Sequence, residues 1–420
     1  MTRFEIFDEV VDIMANDSAT CKDITGADPA PFRAGITEEM SDADFANLVN
    51  EYLCSFGLTG HLDFYTYDQA ENLFTPFRVR RYDDKLYVTY GRKGSGVEKG
   101  DIITHLDGLT ITEAAEKYSF MFSEKNPDRQ AEIWRYIMKR YVSQFTVHHK
   151  SDGETETLKY QPFTEDDTEC EEQQFHLKKL SKDTAVIRLP DFMTDKPIKN
   201  IVKQNKRFLR KCRYLIFDVR GNSGGSDINY DPLEPYCFPK GKTKYDMSEM
   251  SQERLFTERG CKLRAEFFRS LKDAFSEEII EKFAREQEEK AGKGWEKYDC
   301  GTFTVKGKRN PEKVFVITDD ACGSSGDSFV YEMALSPKVT VVGRNTRGIL
   351  DYSNLVERNY GTFRFRFPQS RLCCIDSGIR YMGKGYPVDI YIPWTPEHLE
   401  HDVDLETVLT MIENSRKNRK

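Results

Sequence analysis

Two stretches of the chain carry apolar runs with no polar alternation. Tyr214–Asp227 (YLIFDVRGNSGGSD) and Val314–Phe329 (VFVITDDACGSSGDSF) each open on β-branched and aromatic residues and end in a Gly/Ser-rich turn. Runs of this kind predict strands buried on both faces of a mostly parallel sheet. Ahead of the first, DTAVIRLPDF reads as a strand closed by Pro190, and KPIKNIVKQNKRFLRKC has helical apolar spacing. Strand, helix and strand in this order form a βαβ unit, which implies a right-handed crossover and a parallel pair. After the second run, SFVYEMAL predicts a helix and KVTVVG a further buried strand. TFRFRF alternates as a half-exposed strand, YPVDIYIP is the last strand, and VDLETVLTMIENS is a closing amphipathic helix.

The rest of the chain follows other periods. FEIFDEVVDIM and MSDADFANLVNEYLCSF have helical spacing, with Ser41 or Asp42 as the N-cap of the second. Leu58-Thr59-Gly60-His61-Leu62 then turns into a strand, with His61 at the mouth of the turn. From about 72 to 165 short strands dominate. RVRRYDDKLYVTYG predicts a hairpin turning at Asp83-Asp84, and FTVHHK and ETLKY a second one at Ser151-Asp152-Gly153. PDRQAEIWRYIMKRYVS supplies a helix between them. The acidic run 164–172 reads as a solvated linker. Residues 228–312 form a charged insertion with mixed-sign helical periodicity, either a solvated helical pair or a lid over a cleft. The expected division is 1–70, an N-terminal helical segment; 71–165, a strand-rich domain with a helical insertion; and 166–420, an α/β core.

Composition narrows the function classes. With 420 residues the chain can bury a full core. A net charge of −8 and a pI near 5.6 exclude the basic face that a nucleic-acid partner requires. No stretch approaches the length of a membrane span. The first residues carry acids where a secretory signal has a basic region, so a cytoplasmic protein is expected, or an exported one if a natural leader has been removed. The 10 cysteines show no framework and no zinc-finger spacing, so reduced thiols are expected, with Cys373 and Cys374 on a strand. No metal or organic cofactor is implied.

The candidate chemistry lies where the two buried strands end, since ligands in open α/β sheets collect beyond the carboxyl ends of the strands. Gly224 and Gly225 allow backbone N–H groups to approach a substrate oxygen, and Ser324 sits in a tight turn ahead of a helix. Together they predict an oxyanion hole and a nucleophile. The N–H of Ser325 is the second donor, and its hydroxyl an alternative nucleophile. Asp218 and Arg220 read as an ion pair bracing the strand end, and Asp327 as the acid that starts the helix.

Two resemblances follow from these residues. The run GSGVEKGDIITHLDGLTITEAAEKY resembles the inner signature of PDZ domains, without their usual carboxylate-binding loop. LIFDVRGNSGG, CGSSGDSF and VVGRNTRGILDYSN, in this order behind the PDZ-like unit, resemble the three motifs of the S41 serine peptidases. That family includes C-terminal processing (tail-specific) proteases and the tricorn core. The resemblance implies an α/β fold of the ClpP/crotonase-like type, a mixed and mostly parallel sheet with a PDZ-like domain and an N-terminal helical segment. It implies a serine endopeptidase acting on extended or unfolded polypeptides, with Ser324 as nucleophile. Members using a Ser–Lys pair carry a Lys where this chain has Ile349. His-type members use a His in a turn that Thr59-Gly60-His61-Leu62 fits, with Thr in place of Asp, so the resemblance points to His61 as the base. Their third residue is a Glu near the last strand, which this chain lacks; Asp376 and Asp389 are the nearby candidates. The expected partner is a polypeptide substrate, with a homo-oligomer left open. The same departures motivate an alternative, a catalytically inactive peptide- or ligand-binding protein on this fold. A displaced base such as Lys384 is a further one.

Overall fold

The computed structural model describes residues 1–58, 60–67, 75–122, 126–163, 174–270 and 276–418. Thr59 and the acidic linker expected at 164–172 lie outside the described residues. The chain divides into two units, both discontinuous in sequence.

The larger unit comprises Phe74–Tyr245, Thr302–Gly348 and Gly383–Lys420. At its centre is a six-stranded sheet in the order Ile390–Tyr391, Val339–Gly343, Lys313–Thr318, Tyr214–Asp218, Thr184–Arg188 and His176–Lys179. The first five are parallel neighbours and the last pairs antiparallel. All of Tyr214–Asp218 is buried, as an apolar run with helices on both faces requires. On one face Leu215, Phe217, Val314 and Val316 pack with Ile198, Phe329 and Met333 from two crossover helices. On the other, Tyr214, Ile216, Phe315 and Ile317 meet Val408 and Ile412 of the closing helix Val403–Lys417. Each such side chain contributes roughly 1.5–3 kcal/mol when fully buried.

The same unit holds an antiparallel sheet at 77–159, in the order Phe77–Tyr82, Lys85–Gly91, Ile102–Leu106, Gln144–His148 and Thr155–Lys159, with Leu109–Thr110 beside Ile102–Leu106. Both expected hairpins form, and Asp83 takes the positive φ of 53° that its turn demands. Thr110 and Glu113 cap the helix Ile111–Lys117 reciprocally. Helix Ala131–Tyr141 carries Trp134 into the interior with no exposure.

The smaller unit comprises Met1–Leu73, Asp246–Gly301 and Ile349–Met382. Its five-stranded antiparallel sheet is built around Phe363–Leu372, which pairs with Asp63–Thr66, Tyr352–Asn359 and Gln252–Phe256; Gly294–Tyr298 extends it. Helices Arg3–Asn16 and Asp42–Cys54 cover it with Phe7, Val10, Phe45 and Val49 against Phe64, Phe365 and Phe367. Ser41 caps the second helix by accepting from the N–H of Asp44.

Several expectations change. The charged insertion contains the strands Gln252–Phe256 and Gly294–Tyr298 on either side of helices Glu258–Ser270 and Glu277–Lys290. The alternation of TFRFRF holds only at the start of its strand; Phe367–Leu372 is buried throughout. Arg371 is buried there because Asp23, Glu253 and Asp376 all bind its guanidinium. The last strand shrinks to Ile390–Tyr391. Cys373 and Cys374 lie in a 3-10 turn rather than on a strand, and the nine cysteines among the described residues form no disulfide with one another. No helix among the described residues is long and apolar enough to cross a membrane.

Candidate active site

Parallel pairing of Tyr214–Asp218 with Lys313–Thr318 sets the two Gly/Ser-rich turns side by side at the carboxyl ends of adjacent strands. The turns are then tied together by hydrogen bonds. Gly323 N–H donates to Asn222 O (3.0 Å), and Gly221 N–H donates to Asp319 Oδ1 (2.7 Å). Asn222 also donates through Nδ2 to Leu189 O (2.9 Å) and accepts the N–H of Gly224 (2.9 Å). It is fully buried, and it fixes the glycine turn from inside.

Ser324 immediately precedes the helix Ser325–Ala334, with φ 59° and ψ −121°. A non-glycine residue at positive φ is strained, and such strain collects at functional sites. Asp327 holds the turn: its Oδ2 accepts Ser324 N–H (2.7 Å) and its Oδ1 accepts Gly348 N–H (2.8 Å). The helix-starting acid expected from sequence therefore also clamps the third motif to the second. Arg347 N–H adds a bond to Cys322 O (2.6 Å).

Gly224 packs directly on Ser324. A Cβ on Gly224 would lie 2.7 Å from the Ser324 Cβ and 3.2 Å from its Oγ. Gly225 lies against the backbone of Phe192 on its other side. Phe192 N–H donates to Gly224 O (2.7 Å) and Ser226 N–H to Phe192 O (3.0 Å), so Gly225 N–H points away from that pairing. Gly225 is exposed, and neither its N–H nor that of Ser325 meets an acceptor among the described residues. Gly224 N–H, by contrast, is committed to Asn222.

Arg129, reaching from the 75–163 region, was not legible as part of this site. It donates to the carbonyls of Asn345 (3.1 Å), Thr346 (2.8 Å) and Arg347 (3.1 Å). Arg80 pairs with Asp320 in the turn ahead of Ser324. Asp218 and Arg220 form the expected brace, Arg220 Nη2 to Asp218 Oδ2 at 2.6 Å, extended by Asp402 and Asp404. Desolvation opposes the Asp218 charge, but Arg220 and Arg188 hold its carboxyl below the usual range.

These features lie in the larger unit. Residues 183–385 match the sequence profile of peptidase family S41. This region of the chain is that of an S41 peptidase. S41 peptidases are serine-type hydrolases of polypeptides, and the mixed α/β fold agrees with solved relatives. Mature CPAF complexed with lactacystin superposes with a TM-score of 0.64 at 10% identity, over 94% of each chain. Mature CPAF alone gives a TM-score of 0.62 at 11% identity, over 94% of this chain and 93% of that one. No curated protein matches the chain.

The remaining candidate site residues are divided between the two units. Asp389 lies in the larger unit, where its Oδ2 accepts Val341 N–H (2.8 Å) and its N–H donates to Val341 O (3.0 Å), bracing a strand end. Asp376 lies in the smaller unit, paired with Arg371 (2.6 Å), which holds its carboxyl below the usual range. His61 is in the smaller unit too, at φ 63°. Its Nδ1 is 2.6 Å from Tyr352 O. A carbonyl only accepts, so Nδ1 carries the proton and Nε2 is the basic nitrogen of the neutral ring.

Proposed function

We propose that this S41 peptidase is a serine endopeptidase of extended polypeptides, with Ser324 as nucleophile. The observation that carries the reading is the packing of Gly224 against Ser324 beside the exposed, unpaired N–H of Gly225. Ser324 Oγ attacks the scissile carbonyl, and the N–H groups of Gly225 and Ser325 stabilise the oxyanion. His61 takes the Ser324 proton through Nε2 and returns it to the leaving amine; water then releases the acyl-enzyme. In this reading Tyr352 O orients His61, the role sought in Asp376 or Asp389, both of which have structural partners. The His61 assignment rests on the family motif and its tautomer. The 77–159 sheet is assigned on its sequence motif as a PDZ-like accessory domain.

Ser324→Ala is expected to abolish hydrolysis of an unfolded protein substrate and labelling by a fluorophosphonate; equal labelling of the variant refutes the nucleophile. His61→Ala should lower kcat by roughly 10²–10⁴-fold. Full activity in that variant would move the base elsewhere, Lys384 being the first position to test. The absence of family carboxylate and lysine partners motivates the second reading, a binding protein on this fold, which predicts peptide binding with no labelling of wild-type Ser324.

A further inference from the structure

The segments that meet at Gly225 carry an unusual pair of side chains. Among the described residues, the large apolar side chains most exposed to solvent after Met1 are Met193 (66%) and Ile228 (60%). No other large apolar residue in the described chain reaches 50%. Exposed apolar residues scattered singly need no explanation, but these two are not scattered.

Both belong to one small node. Phe192 O accepts Ser226 N–H (3.0 Å) and Asn229 Nδ2 (2.7 Å), so Met193, next to Phe192, and Ile228, between Ser226 and Asn229, are held by the same carbonyl. Met193 N–H is fixed by Asp191 Oδ1 (2.8 Å), and a Cβ on Gly225 would come within 2.6 Å of Met193 N. The backbone around them is rigid: Phe192 is fully buried against Tyr230 and Phe329. Two apolar side chains are therefore held out in water, on a fixed frame, beside an N–H with no partner.

We propose that Met193 and Ile228 are specificity-determining residues that receive an apolar side chain of the substrate next to the scissile bond. This deepens the peptidase reading and rests on it. A polypeptide that places a carbonyl at Gly225 N–H brings the neighbouring side chain to this pair. An aliphatic or aromatic residue there removes apolar surface from water on both partners, whereas a charged residue loses hydration without a partner. Methionine adapts to irregular apolar shapes, so the preference is for the apolar class rather than one residue.

The test separates binding from chemistry. Met193→Ser, Ile228→Ser and the double variant are made on the Ser324→Ala background. Binding is measured by fluorescence anisotropy with labelled ten-residue Gly/Ser peptides carrying one central Leu, Phe, Ser or Asp. The parent should bind the Leu and Phe peptides at least about 10-fold more tightly than the Ser and Asp peptides, as expected for a side chain entering an apolar subsite. The double variant should lose that preference while its binding of the Ser peptide stays within about twofold and its melting curve is unchanged. In the active background, the same pair of substitutions should lower kcat/KM for the apolar peptides only, with fluorophosphonate labelling intact. A retained apolar preference, an equal loss for every peptide, or no preference in the parent overturns the proposal. Failure of Ser324 labelling in the wild type overturns the peptidase reading instead.

Discussion

At Gly224 the backbone takes φ +84°, and a Cβ would lie 2.7 Å from that of Ser324. Gly224→Ala therefore adds backbone strain and a clash at the nucleophile itself. It should cost at least about 10²-fold in kcat, the scale of losing one oxyanion contact, and steady-state kinetics beside a fluorophosphonate labelling rate will show it. Glu332 gives a residue-scale prediction about pH. It accepts the Tyr230 hydroxyl (2.7 Å), and burial among other carboxylates pushes its carboxyl up to about 8. The folded state thus holds this proton more tightly than the unfolded chain, whose carboxyl titrates near 4.5. The stabilisation is fully present below that value and is lost as pH rises toward 8. Glu332→Gln keeps an acceptor for Tyr230 without the ionisation. Its Tm should rise relative to wild type at pH 8 and differ little at pH 4.5, as thermal melts across that range will show.

At the scale of elements, the short 3-10 turn Pro127–Arg129 reaches the third motif through a single guanidinium. Removing Arg129 leaves three carbonyls of the 345–347 segment without that donor, so Arg129→Ala should cost about 1–3 kcal/mol in urea unfolding. Its kcat should fall with it, because Gly348 of the same segment anchors Asp327 and, through it, Ser324. Arg129 was illegible because it lies more than 200 residues from the carbonyls it holds, with no local pattern to mark it. Tyr214–Asp218 and Lys313–Thr318 were legible because burial on both faces leaves an unbroken apolar run. The strands Gln252–Phe256 and Gly294–Tyr298 were not. Their charged residues make cross-strand contacts, as where Arg254 lies 4.2 Å over the Tyr298 ring, and this blurs the two-residue period. The two glycines of the candidate site were legible as a pair. Which of them keeps an unpaired N–H depends on the side-chain orientation of Asn222, which no sequence pattern records.

For the whole molecule, the excursion Asp246–Gly301 begins and ends in adjoining backbone, since Met247 N–H donates to Gly301 O (2.7 Å). Residues 248–300 can therefore be replaced by a short turn without stretching the strands Gly241–Asp246 and Thr302–Gly307 that pair on either side. The shortened chain should keep the far-ultraviolet dichroism and melting transition of the larger unit. It should lose hydrolytic activity, because the smaller unit loses two strands and the Glu253 partner of Arg371. Full activity would show that those strands do nothing for the His61 turn.

The register Asp63↔Arg366 has a consequence for synthesis. The strand that follows His61 finds its neighbour only when the ribosome has added roughly 300 more residues, about 15–60 s at 5–20 residues per second. Throughout that interval the first helices have no sheet to cover, while the strands leading to Ser324 are already emerging. On the proposed mechanism, the hydroxyl exists on a nascent chain before its base has a fixed position. Translation order would then act as a timer, keeping the newborn peptidase silent among its unfolded neighbours until Phe363–Leu372 has been made.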